Sequence, residues 1–331
     1  MSNDKNKKSG QKKNSPSERQ IKKKERQILD AWDFKENPEA FSEEFAQVAK
    51  IFCQMSFPHS ETWKEDMDTI NGDWGFRVQF SRDWSRKLYG LPYGVFPRLI
   101  MIYLMQRAYM YDERRVKVNG IAEFIRKLGK ESDGRTVDIV YNQTRRLLHT
   151  EVIFKNLKTG EEGGFRLFSR WFLDWNKIEN SHQTELEFKD HYIELSSDFY
   201  DSLKRSHITL NLKPLKELSH SALLMDIYVW LTYRLCGGRS VTVSWKQLHS
   251  QFGANYKGDR YGLRNFRTEF LRYMKRIQEY FPEFHYKTPR GRLTIVPLFE
   301  QHQKGIASKI DRKRLAERNE ANQRLIGGRE K

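Results

Sequence analysis

Two stretches of the chain repeat one order of apolar and polar positions. In the first, the nearly unbroken apolar run PRLIMIYLMQRAY, from Pro97 to Tyr109, predicts a long buried helix. Arg115–Val118 follows as a short strand. Asn119 is placed to cap a helix, GIAEFIRKLG, which Gly129 closes. Gly134 precedes a second helix, RTVDIVYNQTRRLLH. Val152–Leu157 and Gly164–Phe172 then read as two strands joined by a polar, Gly-containing joint at 158–163, which is a hairpin signal.

The second stretch runs in the same order. Ser219 or Ser221 caps the apolar helix ALLMDIYVWLTYRL, stopped by Gly237-Gly238. Ser240–Val243 is a short strand, and Ser244 caps WKQLHSQFG, which closes at Gly253. A helix from about Tyr261 to Tyr280 ends at Pro282. Phe284–Lys287 and Leu293–Pro297 are strands around the turn at 288–291. Each stretch reads helix, short strand, helix, helix, hairpin. That is the order of a winged helix, a helix-turn-helix with an added β wing. Upstream, residues 31–70 read as mostly helical. Phe41, Phe45, Val48 and Phe52 fall at helical spacing, and Pro58 ends the pattern.

The expected fold is therefore α+β and helix-rich, with two tandem winged-helix domains at 71–185 and 186–300. A helical segment at 31–70 precedes them, and basic, flexible tails at 1–30 and 301–331 flank the whole. Charge supports the tails. Residues 1–30 carry ten basic and four acidic side chains, and residues 301–331 carry nine and four, so most of the net +17 lies at the two ends. Such ends are solvated chain that can still grip phosphates without reading sequence. The excess points to a polyanion, either nucleic acid or an anionic surface.

Cys53 and Cys236 are too few for a disulfide framework or a four-thiolate zinc site, which suits a reducing compartment. The N-terminus has no apolar core of a secretory signal, and the longest apolar run, Leu99–Met105, is far short of a membrane span. The expected location is the bacterial cytoplasm, with no membrane partner.

The helix at 261–280 carries an apolar row of Leu263, Phe266, Phe270, Met274 and Ile277. Its other faces carry Arg264, Asn265, Arg267, Thr268, Arg272, Lys275 and Arg276, and the loop before it adds Lys257 and Arg260. In a helix-turn-helix the N-terminal part of the second helix enters the major groove. Arg264, Asn265, Arg267 and Thr268 are thus placed near bases, where Arg can fork onto guanine and Asn onto adenine. Lys275 and Arg276 would meet the backbone. One basic amphipathic helix is more often a plain solvated face. Here the hairpin tip adds Lys287, Arg290 and Arg292 beside it, making one basic surface. In the first stretch, Arg135, Asn142, Gln143, Arg145 and Arg146 lie off the apolar face formed by Val137, Val140, Tyr141, Thr144, Leu147 and Leu148 and are candidate DNA contacts, Asn142 and Gln143 because a side-chain amide can bond adenine bidentately. Its wing is less basic, since Glu161 and Glu162 offset Lys155 and Lys158.

Catalytic signatures are lacking. There is no phosphate-cradling glycine motif, no G-x-S-x-G and no H-E-x-x-H, and His182 and His191 stand nine apart. Acidic pairs such as Glu43-Glu44 and Asp112-Glu113 fit helix surfaces or ends. No catalytic residue, metal or cofactor is expected, and the chain is not expected to be an enzyme. Tyr228, Trp230 and Tyr233 read as core. A single-strand binder would need exposed aromatics, which sequence does not reveal.

The segments IELSSDFYDSL (193–203), LNLKPLKELSHSALLMDIYVWLTYRL (210–235), VTVSWKQLHSQFG (241–253) and RNFRTEFLRYMKRIQEYFPEF (264–284) resemble the plasmid-encoded RepA replication-initiator family. D-I-Y-x-W-L-x-Y-R-L and W-x-x-L-x-x-Q-F-G carry most of this likeness, which covers about 186–300, and 75–185 is compatible with the family's first winged helix. The resemblance implies a protein that binds iterons, directly repeated duplex DNA sites at a plasmid origin. It implies opening of the duplex nearby and recruitment of the host initiator and replicative helicase. It also implies monomers at the origin, a homodimer when repressing its own promoter and controlling copy number, and no ATPase. The helix at 261–280 falls where the family has its second recognition helix. A transcriptional repressor would need the same contacts. A DNA-nicking or other DNA-processing enzyme would need a metal or a covalent tyrosine, and a structural RNA-associated protein would not prefer duplex repeats.

Overall fold

The long apolar run at 97–109 forms helix α1 (Val95–Tyr111), buried on every side from Pro97 to Gln106. The computed structural model describes residues 44–84, 86, 88–175, 191–236, 239–281 and 284–297. The two tails, residues 31–43, Gly237-Gly238, Pro282 and His182 lie outside them. After α1 come β4 (Arg115–Lys117), α2 (Ile121–Lys127), α3 (Gly134–Leu148), β5 (Thr150–Asn156) and β6 (Glu162–Arg166). The order is the expected one. Two details differ. Asn119 does not cap α2, because its amide donates to Glu123 at 2.6 Å and Gly120 takes the cap position. The run 164–172 is not one strand: it breaks at buried Leu167, and β7 (Phe168–Phe172) joins a different sheet.

The second stretch contains α6 (Ala222–Cys236), β10 (Val241–Ser244), α7 (Trp245–Phe252), α8 (Arg260–Tyr280), β11 (Phe284–Lys287) and β12 (Arg292–Pro297). Ser221 Oγ accepts from Leu224 N at 3.4 Å at the start of α6. Ser244 caps α7 as expected, in a reciprocal box with Gln247. Here the short strand β10 pairs with β12, which pairs with β11, so strand and hairpin form one sheet. In the first stretch the short strand does otherwise. β4 pairs with β8 (Tyr192–Leu195), which pairs with β7, while the hairpin β5–β6 extends a four-stranded sheet with β2 (Asp66–Asn71) and β3 (Trp74–Phe80). The two copies thus share an order of elements but not a pattern of strand pairing.

The helical segment expected over 31–70 is corrected from residue 45 onward. Phe45–Ala49 is strand β1, Lys50–Cys53 is a single 3-10 turn, and β2 and β3 form a hairpin closed at Gly72 with φ 63°. The cause is burial on both faces. Every residue of β1 is buried, so the apolar run has no alternation, and the spacing of Phe45, Val48 and Phe52 coincides with that of a helix. Its partner is distant in sequence: β1 pairs antiparallel with β9 (His207–Asn211), from Phe45 opposite Asn211 to Ala49 opposite His207. Gln106 on α1 donates to Phe45 O at 2.7 Å and fixes the strand over the helix.

Between β8 and α6 lie α4 (Ser197–Arg205), capped by Ser196, then β9 and α5 (Leu212–Leu218), capped by Asn211. One hydrophobic core runs from Ala46 to Ile295, and strands from either side of residue 185 share two sheets. Inside it sits a buried ion pair between the halves. Asp226 on α6 accepts from Arg98 Nε on α1 at 2.6 Å, from Arg98 Nη2 at 2.7 Å and from Ser56 Oγ at 2.5 Å, with His59 Nε2 at 3.0 Å. Though burial alone would raise it, Arg98 holds the Asp226 carboxyl far below the carboxylate range. Burial pushes the His59 imidazole below its ordinary value, against the pull of Asp226. No helix among the described residues is long and apolar enough to cross a membrane.

Candidate nucleic-acid interface

Helix α8 is held by one face. Phe266, Phe270, Met274 and Ile277 are fully buried. Phe270 meets Trp230 of α6 and Trp245 of α7 edge-on at 6.0 and 5.9 Å, and Trp230 meets Phe252 at 6.0 Å. Aromatic edge contacts of this kind add ~0.5–1.5 kcal/mol each beyond burial. The start of the helix is equally fixed. Asp259 accepts from Gly262 N at 2.7 Å. A Cβ at Gly262 would lie 2.0 Å from Lys257 O, so only glycine fits where the preceding loop crosses the first turn.

With that face buried, the basic residues have set positions. Arg264 and Asn265 are exposed on the first turns. Thr268 is exposed, and its hydroxyl is turned back onto Arg264 O at 3.1 Å. Arg267 is half-buried, with its guanidinium 5.3 Å above the Trp245 ring. The stacking fixes its direction and leaves its outer edge to donate. A hollow of about 370 Å³ brings Arg260, Arg264 and Arg267 of α8 together with Lys246 of α7 and Gly291 of the hairpin turn. Trp245 N donates to Gly291 O at 3.2 Å, which seats the turn against the start of α7. Lys287, Arg290 and Arg292 are all exposed on the hairpin. Helix start and hairpin therefore form one basic surface.

The second half of α8 faces elsewhere. Arg272 pairs with Glu269 and lies over Tyr273 at 5.2 Å. With Lys275 and Arg276 it borders a separate hollow, shared with His220 and Glu279. Sequence reasoning missed Lys246. Its signal was the capped start of WKQLHSQFG beside the turn.

In the first stretch the assignments divide. Arg135 and Asn142 are exposed on α3, with the Asn142 amide donating to Asp138 O at 2.9 Å. Gln143 is buried and accepts from Tyr93 N at 2.9 Å, so it presents nothing to a ligand. Arg145 donates to the Tyr89 hydroxyl at 3.0 Å and lies 5.1 Å above Tyr141. Arg146 donates to Leu91 O at 3.1 Å and to Glu61 at 3.0 Å. These three side chains fasten the loops at 57–65 and 81–93 onto α3 rather than projecting from it. The apolar sequence at 88–93 is what recruits them: a loop packed on a helix has backbone groups to satisfy. On the hairpin, Lys155 pairs with Glu162 and Lys158 with Asp73. Among the described residues no group of three His, Cys, Asp or Glu side chains could hold a metal ion.

Residues 91–247 match the family model described as plasmid encoded RepA protein. Over this range the chain is similar to plasmid RepA, the family that its sequence motifs resemble. The match includes D-I-Y-x-W-L-x-Y-R-L at 226–235 and ends inside W-x-x-L-x-x-Q-F-G, so α8 and the hairpin lie beyond it. Among solved structures the chain is similar to a crystal structure of selenomethionine derivatives of domain 2 and domain 3 of RctB, with 12% identity and a TM-score of 0.47, covering 73% of this chain and 94% of that one. It is also similar to a crystal structure of the RctB domains 2-3, at 12% identity and a TM-score of 0.43, covering 76% of this chain and 97% of that one. No curated protein matches the chain.

Proposed function

We propose that the protein is a plasmid replication initiator that binds repeated duplex sites at its origin through α8 and the β11–β12 hairpin. The observation that carries this reading is the basic surface made by Arg264, Asn265, Arg267 and Lys246 beside Lys287, Arg290 and Arg292, on a chain whose residues 91–247 match the plasmid RepA model. In this reading the second stretch is a winged helix. The first turns of α8 enter the major groove, the hairpin follows the neighbouring backbone, and Lys275 and Arg276 steady the far end. The first stretch, whose α3 side chains are engaged with loops, offers Arg135 and Asn142 only. Duplex opening near the sites, recruitment of the host initiator and helicase, a homodimer at the promoter, a cytoplasmic location and the absence of enzymatic activity belong to the same reading.

The test is a footprint of the purified protein on DNA flanking its own gene, near 150 mM salt, with excess competitor DNA. Protected direct repeats support the reading, and plasmid maintenance by the same gene separates an initiator from a repressor. Diffuse protection that disappears with competitor would overturn it.

A further inference from the structure

The loop at 81–93 is held on α3 by the arginine and glutamine that the sequence assigned to base reading, and it presents an aromatic ring of its own. Tyr89 stacks on His149 at 5.2 Å with the rings 9° apart, and its hydroxyl donates to Asp83 at 2.8 Å. Ser81 N donates to His149 O at 2.7 Å, and Tyr93 N to Gln143 at 2.9 Å, so both ends are anchored. At the tip, Arg86 N donates to Asp83 O at 2.9 Å and Arg82 donates to Arg86 O at 3.3 Å. Arg86 stands at φ 61°, a left-handed conformation uncommon for a residue with a side chain and often kept where a tip has a task.

On this anchored tip Trp84 is fully exposed (102%), and Leu88 is 47% exposed. Arg82 and Arg86, two residues before and two after Trp84 in sequence, are exposed as well. The only carboxylate of residues 81–90, Asp83, is turned toward Tyr89. A second fully exposed tryptophan among the described residues, Trp63 at 97%, has net acidic neighbours in sequence, Glu61, Glu65 and Asp66 against Lys64.

We propose that Trp84 is a stacking platform for an unpaired base of single-stranded DNA, with Arg82 and Arg86 taking the adjoining phosphates. A free aromatic face stacks on any base, and flanking cations hold the strand on it. In an intact duplex the base faces are already covered by their neighbours, so the ring selects unpaired nucleotides. The site shares no residue with α8 or the hairpin, and the proposal does not rest on the duplex reading.

The experiment is fluorescence anisotropy of the full chain with a labelled oligothymidine, against an abasic strand of equal length that has the same phosphates and no bases. The wild type is expected to bind the thymidine strand about tenfold more tightly than the abasic one. Trp84→Ala should abolish that difference, Trp84→Phe should keep part of it, and Trp63→Ala should leave it unchanged. Arg264→Ala should leave it unchanged too while weakening the duplex. Equal binding of the two strands by the wild type would overturn the proposal. So would a Trp84→Ala variant that keeps the difference, or one whose loss is matched on duplex DNA or on anionic phosphatidylglycerol vesicles.

Discussion

Single side chains separate reading from holding. Arg264 projects from the first turns of α8 with its face open, whereas Arg146, equally basic in sequence, is tied to Leu91 O and Glu61. Arg264→Ala should therefore cost ~1–3 kcal/mol on a cognate duplex, measured by competition binding, with the melting temperature unchanged. Arg146→Ala should lower the melting temperature and leave duplex affinity nearly as it was. The buried pair follows another rule. Arg98→Met takes from Asp226 the cation that holds it ionised, at a cost of ~3–5 kcal/mol in urea unfolding. His59 adds a pH dependence. Burial depresses its folded-state pKa below its unfolded value, so its contribution is complete above the ordinary imidazole value of about 6.5 and is lost as pH falls through and below it. Burial shifts His149 and His207 in the same direction. His59→Gln should thus flatten part, not all, of the stability loss between neutral and mildly acidic pH. Arg98 and Asp226 were legible as oddities, since each is a charge set among apolar residues near the start of an apolar helix. Their meeting was not, because they are 128 residues apart.

At the scale of elements, the site depends on how α8 begins. With a Cβ at Gly262 set against Lys257 O, Gly262→Ala must displace the loop or unwind the first turn. Duplex binding should then fall more than overall stability does, when both are measured on the same sample. Phe270→Ala tests the opposite end of the packing. It removes the ring between Trp230 and Trp245 and should cost ~3–5 kcal/mol of stability. Most helices were readable, because caps such as Ser244 and amphipathic rows such as Phe266, Phe270, Met274 and Ile277 are local signals. β1 was not, since a strand buried on both faces carries no period. The β2–β3 hairpin had a local signal that went unused, Asn71-Gly72 between alternating positions. Gln143 and Arg145 misled for a further reason: a polar residue off the apolar row is free only if no loop lies over it, and loop placement is not periodic.

For the whole molecule, charge and architecture separate. Most of the net +17 lies in the terminal 30 or so residues at each end, while the basic surface of α8 and the hairpin lies between them. Removing residues 1–25 should weaken binding to all DNA by a similar factor and make the salt dependence shallower, leaving the preference for a cognate site intact. Duplex affinities measured from 50 to 300 mM salt on cognate and scrambled sites would separate the two contributions. The architecture itself was half legible. The repeated order of elements was visible in the sequence, but its strand pairing was not, because β4 turns away from its own hairpin to join β8, whereas β10 joins its hairpin.

The pairing of β1 with β9 has a consequence during synthesis. Phe45 to Ala49 emerge from the ribosome long before His207 to Asn211, and until those residues follow, the first strand has no partner. At typical elongation rates of about 5–20 residues per second the wait lasts roughly 10–30 seconds. Through that interval FAQVA is an apolar edge open to any other extended chain. A nascent chain ending before residue 207 would therefore be held by chaperones or aggregate, and only the later half of the polypeptide completes the earlier one.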